Sequence, residues 1–232
     1  MGDRNDTGGR RRVSVVTTLH ILGAGAFAFE VALVCERMLA AGDAPFDTYD
    51  FISDDDSYAA ERDVAHRVTT PLDENAVEPD ALYVCAIGDP AGRRAVTERF
   101  ERNGARFATL IDPSAVVAPD AEIGEGTIIC AHTFVSCYVK IGRHVHINVM
   151  SSLGHDVVTG NCVTISAHVD LTGGVRVGDT VFFGTHAAVL PKKTVGNGSR
   201  IGAGCVVVRS IGEDAVLFDD PPKFLRRGRA KT

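Results

Sequence analysis

From Ile111 onward the chain repeats itself every six residues, and no other feature of the sequence restricts its fold as strongly. IGEGTI, IGRHVH, VGDTVF, VGNGSR and IGAGCV are typical segments. Counting from Ile111 to Gly212 gives 17 hexads without an insertion. The first position is aliphatic or aromatic in 16 of them, Thr159 being the exception, and the second is small or short in 15, failing at Leu190 and Val208. In a chain that is 45% apolar, chance would fill only about half of the first positions. A six-residue apolar repeat is the signature of a parallel β-helix. Each hexad forms one side of a triangular coil, with its first residue inward and a small second residue to let the corner close. Three hexads complete a coil, so the array predicts nearly six coils. Each coil alone exposes its apolar side; stacking makes the core, and the ends need caps. VLFDDPPKFLRR is expected to close the C-terminal end.

Before the repeat, strand and helix patterns alternate. LHILGAGA is a short apolar strand running into a glycine turn, and FAFEVALVCERMLAAG a helix ended by Gly42. YDFISDDD reads as a second strand with an acidic end and ALYVCAIGD as a third. The helix PAGRRAVTERFERNG and a fourth strand, RFATLI, follow. Such alternation implies a small parallel sheet with helices packed on it. The predicted architecture is α/β plus all-β: a mobile leader over 1–17, a Rossmann-like domain over 18–110, and a β-helix with a C-terminal cap over 111–232. The early run RRRVSVVTTLHILGAGAFAFEVALV has basic residues before an apolar stretch, but His20, Glu30 and a glycine turn interrupt it. A first strand and helix explain it better than a signal peptide.

A net charge of −6 gives no reason to expect nucleic acid or an anionic membrane as partner. The basic tail FLRRGRAKT and Arg10, Arg11 and Arg12 read as solvated termini. Six scattered cysteines without a C-x-x-C pair read as reduced thiols, which points to the cytoplasm.

Within SSLGHDVVTG, His155 is the third residue of its hexad and should project outward with Asp156 beside it. A neutral imidazole suits a general base, and a nearby carboxylate stabilises the imidazolium that forms. The competing reading is a solvated surface histidine with an aspartate that only shapes a turn.

The hexads, taken with GAGAFAFEV, AIGDPAGRR, LIDPSAVV and the mid-array GHD, resemble the sugar acetyltransferases of the sialic-acid O-acetyltransferase and bacillosamine-pathway N-acetyltransferase type. The resemblance covers roughly residues 19–228. It implies a left-handed β-helix and an acetyl-CoA-dependent transfer to the amino group of a nucleotide-linked amino sugar, with sialic-acid-type O-acetylation as the alternative. It also implies a homotrimer with active sites between subunits, and no metal. His155 would be the base and Asp156 its support. The acetyl-CoA groove would match Thr164, Gly173, Thr185 and Ala203, and the sugar-nucleotide site Gly25, Asp54, Asp55 and Gly88. A glycine turn between strand and helix can accept a phosphate on backbone N–H groups. The sequence departs from the family at Gly25-Ala26-Phe27-Ala28, where the turn usually continues glycine–histidine–glycine, at Thr164, where relatives often carry histidine, and at Asp219-Asp220-Pro221-Pro222.

Three other readings stay open. GAGAFA could belong to a dinucleotide-dependent oxidoreductase, although no second catalytic domain follows. A β-helix zinc enzyme of the carbonic-anhydrase kind would use His132 and His168, but its third ligand should stand where Gly173 does. The chain could also be a non-catalytic scaffold that senses a nucleotide sugar.

Overall fold

The computed structural model describes residues 16–62, 68–69 and 71–219. The expected leader, apart from its last two residues, and the greater part of the expected C-terminal cap, with Asp220, Pro221 and Pro222, lie outside the described residues.

Among the described residues a four-stranded parallel sheet comes first. β1 (Thr18–Leu22) sits between β2 (Thr48–Ile52) and β4 (Leu82–Cys85), and β3 (Val68–Thr69) pairs beyond β2. Side chains alternate across it. Leu19 and Ile21 pack with Val31, Val34 and Met38 of α1 (Ala26–Ala41), whereas Leu22 joins Tyr83 and Phe100 on the opposite side. A one-turn helix, α2 (Ser57–Ala60), follows β2, and α3 (Pro90–Arg102) follows β4. α1 ends as expected at Gly42, whose φ of 79° lets its N–H return to Leu39 O and that of Asp43 to Met38 O. Asp89 caps α3 by accepting from the Gly92 N–H at 2.9 Å, with Pro90 in the first turn.

One predicted strand is corrected. RFATLI does not extend the first sheet: Phe107 makes a single bridge to Tyr83, after which Leu110–Ile111 pairs with Ile128–Ile129 as the first strand of the repeat array. The fourth strand of the sheet is instead Val68–Thr69, at the other edge. Between the two regions Asp112, in LIDPSAVV, is buried and accepts Arg37 Nε from α1 at 2.7 Å and the Ser114 N–H at 2.8 Å. Burial pushes the Asp112 carboxyl up, but these donors outweigh it and hold it below its ordinary value.

The array is a three-sided parallel β-helix of two-residue strands in sheets of five, seven and six. Residues 18 apart pair, as in His146 with Thr164, Ser152 with Asp170 and Val158 with Arg176. First-position residues such as Val135, Ile147, Leu153, Ile165 and Leu171 fill the core, each 0% exposed. Thr159, the polar exception, is buried too, and its hydroxyl accepts the Gly142 N–H at 3.2 Å.

The corners work differently from the sequence reading. The left-handed backbone falls on the fourth position of most hexads, at His132, Asp156 and His168 among others. The second position is small because coils stack closely: a Cβ on Gly124 would lie 2.6 Å from the Gly142 carbonyl carbon one coil on. The count of 17 full hexads is also corrected. Arg200 pairs with Val216 and Val195 with Ile211, so the last coil is two residues short and begins a new side at Ile211.

Candidate active site

His155 and Asp156 occupy the corner between strands Ser152–Leu153 and Val158–Thr159. Leu153 anchors that corner in the core, and the left-handed φ of 59° at Asp156 turns both side chains outward. His155 Nδ1 donates to Asp156 Oδ2 at 2.7 Å, and the two side chains are 65% and 60% exposed. With Nδ1 carrying the proton, the Nε2 lone pair is free to accept another. The ring lies over Gly173, one coil on. A Cβ at Gly173 would stand 2.5 Å from Nε2 and 2.7 Å from Cε1, so the missing side chain is the room that the imidazole occupies.

The four residues assigned to the sugar nucleotide come together. Gly25, Asp54, Asp55 and Gly88 line one cavity of about 450 Å³ at the C-terminal ends of β1, β2 and β4, with Phe27, Tyr58 and Arg99. α1 begins there after Gly25, with no side-chain cap and no acidic residue in its first turn. Its first N–H groups and its dipole therefore face the cavity, an arrangement that suits an anion. Asp54 Oδ1 accepts the Leu72 N–H at 2.8 Å; hydrogen bonds from Ser57 hold the Asp55 carboxyl below its ordinary value. Arg99, which sequence reasoning missed, brings a cation to the wall, with its Nε buried and unpartnered among the described residues.

The residues expected in the acetyl-CoA groove separate. Gly173 is beside His155. Thr185 and Ala203 stack one coil apart on the opposite edge of the same face, where Thr185 Oγ1 donates to Ala167 O at 2.7 Å. Thr164 faces no groove, which corrects that expectation. It is 9% exposed, its hydroxyl donates to Gly88 O at 2.9 Å, and it accepts Arg93 Nη2 at 2.9 Å. It therefore joins the β-helix to Gly88 and to α3.

Sequence reasoning also missed Arg93 and His146 in that seam. The signal for Arg93 was its spacing: Pro90, Arg93, Thr97 and Phe100 form the buried stripe of α3, whereas Arg94 falls outside it. His146 is enclosed, donating from Nε2 to Cys85 O at 2.8 Å. Burial first, and then the charge of Arg93, push its pKa well below the ordinary value. His168 and His186 stack face to face at 4.6 Å on an exposed edge. Among the described residues no three His, Cys, Asp or Glu side chains are grouped so as to hold a metal ion, and no helix is long and apolar enough to cross a membrane.

No family model matches the chain. The acetyltransferase domain of PglB from Neisseria gonorrhoeae superposes with a TM-score of 0.73 at 30% identity, over 84% of this chain and 92% of that one. The chain belongs to the hexapeptide-repeat sugar acetyltransferases of the bacillosamine-pathway N-acetyltransferase type. The left-handed β-helix is that of its family. The same PglB domain in complex with acetyl coenzyme A is 28% identical with a TM-score of 0.75, over 87% of this chain and 95% of that one. PerB from Caulobacter crescentus, in complex with CoA and GDP-perosamine, is 27% identical with a TM-score of 0.74, over 86% and 93%. Among curated relatives, GDP-perosamine N-acetyltransferase of Escherichia coli O157:H7 is 31% identical over 104 residues, which is 45% of this chain and 47% of the relative. UDP-N-acetylbacillosamine N-acetyltransferase of Bacillus subtilis is 45% identical over 53 residues, 23% of this chain and 24% of the relative. The chain thus spans less than half the length of these curated relatives.

Proposed function

We propose that the protein moves an acetyl group from acetyl-CoA to the amino group of a nucleotide-linked amino sugar, with His155 as general base. The observation that carries this reading is the His155–Asp156 pair, held at 2.7 Å on an outward corner, with no hydrogen-bond partner on Nε2 among the described residues. An amine must lose a proton to attack a thioester carbonyl. His155 Nε2 takes that proton as the C–N bond forms, and Asp156 stabilises the resulting imidazolium. Collapse of the tetrahedral adduct breaks the C–S bond and releases the CoA thiolate, to which His155 returns the proton. No acyl-enzyme is required. The sugar nucleotide lies in the cavity of Gly25, Asp54, Asp55 and Gly88, and Gly173, Thr185 and Ala203 belong to the acetyl-CoA groove.

The working unit is a homotrimer with active sites between subunits. Thr185 and Ala203 stand on the opposite edge of a face from His155, so a groove containing both needs a second chain. That face carries exposed Val116, Phe134 and Val206, flanked by Met150 and Tyr138, the kind of apolar surface a partner covers. We place the protein in the cytoplasm, in keeping with six free cysteines. The test is release of free CoA from acetyl-CoA across a panel of nucleotide amino sugars and their hydroxyl analogues. Turnover with amino acceptors is expected. Turnover confined to hydroxyl acceptors, or to none, would overturn the assignment.

A further inference from the structure

Arg93 is 0% exposed, and its guanidinium grips both domains at once. Nε donates to His144 O at 2.9 Å, and Nη1 donates to Ile87 O at 2.8 Å, Gly88 O at 3.3 Å and His146 Nδ1 at 3.0 Å. Nη2 donates to Thr164 Oγ1 at 2.9 Å, and that hydroxyl in turn donates to Gly88 O. Phe27, from the start of α1, packs its ring on His146 at a centroid distance of 4.9 Å.

The two ends of this network are the two halves of the proposed site. Ile87 and Gly88 form part of the wall of the cavity that Gly25, Asp54 and Asp55 also line. His146 and Thr164 pair with each other in adjacent coils, and the one turn of chain between them carries His155. We infer that Arg93 and Thr164 are positioning residues, which lock the Ile87–Gly88 wall of the nucleotide-sugar cavity to the coil that bears the base. The inference rests on the reading of that cavity proposed above.

Physical chemistry favours this over a merely structural role. Burying a guanidinium on neutral acceptors carries a large desolvation penalty, and an apolar side chain of similar volume would fill the space more cheaply. Apolar packing tolerates sliding, whereas a rigid fork of five N–H donors fixes the relative place of every acceptor it reaches. Burial also holds the Arg93 pKa below its usual value, so the setting does not stabilise the charge for its own sake. Lysine could not replace it, because three donors on one nitrogen cannot span carbonyls from two domains.

The test uses the full chain, titrated with UDP, GDP and dTDP by calorimetry, together with KM for acetyl-CoA and the thermal midpoint. Thr164→Val removes the hydroxyl while keeping the branched shape, and takes one hydrogen bond each from Gly88 O and Arg93 Nη2. It is expected to weaken the best-bound nucleoside diphosphate about tenfold, leave the KM for acetyl-CoA unchanged, and be rescued by Thr164→Ser. Arg93→Lys is expected to act in the same direction and more strongly. If both variants bind the diphosphate as wild type does, whatever their thermal midpoints, the positioning role is overturned and the cavity assignment stands. A rise confined to the KM for acetyl-CoA would move Thr164 to the donor site and overturn it as well. A wild-type protein that binds none of the three diphosphates overturns the cavity assignment, and the positioning role with it.

Discussion

Gly173→Ala disturbs His155 without altering the histidine itself. The three atoms nearest to an added Cβ all belong to the imidazole, with Nε2 at 2.5 Å and Cε1 at 2.7 Å. An ordinary carbon contact is ~3.5 Å, so the ring must move by about 1 Å. The backbone has no objection to alanine, since the φ of Gly173 is not left-handed. Replacing such a glycine reduces the freedom of the unfolded chain and tends to stabilise by ~0.4–1 kcal/mol. The variant should therefore fold and melt at or slightly above the wild-type temperature. Activity should behave otherwise: a misplacement of about 1 Å can lower a rate ~100-fold, and a general base contributes ~10²–10⁴-fold in all. At saturating acetyl-CoA and nucleotide amino sugar, kcat for CoA release is expected to fall ~10²-fold. Combining Gly173→Ala with His155→Ala should do no further harm, because both remove one function. A variant with wild-type kcat and an intact fold would refute the placement of the base over Gly173.

Three further outcomes are expected. Asp156→Asn keeps a residue that tolerates the left-handed backbone but removes the carboxylate that accepts from His155, so kcat should fall about tenfold with both KM values little changed; steady-state kinetics decides it. Leu153→Ala opens a cavity in the coil beneath His155 and should lower stability by ~2–5 kcal/mol in a urea titration, with a matching drop in thermal midpoint. Acid should unfold the protein partly through His146. Its pKa is depressed in the fold, so its stabilisation is complete above the unfolded value of 6.5 and is lost as pH falls from there toward the folded value, by up to ~1.4 kcal/mol per pH unit. His144, also depressed, adds to that loss. His20 opposes it, because burial lowers its pKa but Asp50 and Glu78 raise it further, so its contribution is present below pH 6.5 and fades as pH rises through the folded value. Urea midpoints between pH 5 and 7 should show a shallower acid loss for His146→Gln than for wild type.

The repeat was legible because an inward position leaves almost no choice but an apolar residue, and Thr159 escapes only by accepting a backbone N–H. Val208, a misfit at its hexad's second position, marked the shortened last coil, and Ile211-Gly212 repeats the Ile-Gly opening of other hexads. Counting in sixes hid that restart. RFATLI had strand composition, but composition does not say which sheet a strand joins, and Leu110–Ile111 went to the array. Outward projection from the third and fourth hexad positions put His155 and Asp156 on an exposed corner, and the glycine turn and its acidic neighbours line one cavity. Thr164 was illegible for a definite reason. Sixth-position residues point outward on all three faces, and only tertiary packing decides which face the first domain covers.

The most direct measurement is acetyl transfer by His155→Ala, followed as CoA release in the presence of acetyl-CoA and a nucleotide amino sugar that wild type accepts. The side chain is exposed and supports nothing in the core, so the variant should melt as wild type does and bind acetyl-CoA normally. Its kcat is expected to fall ~10²–10⁴-fold. Transfer at the wild-type rate by a folded His155→Ala protein would contradict His155 as the base.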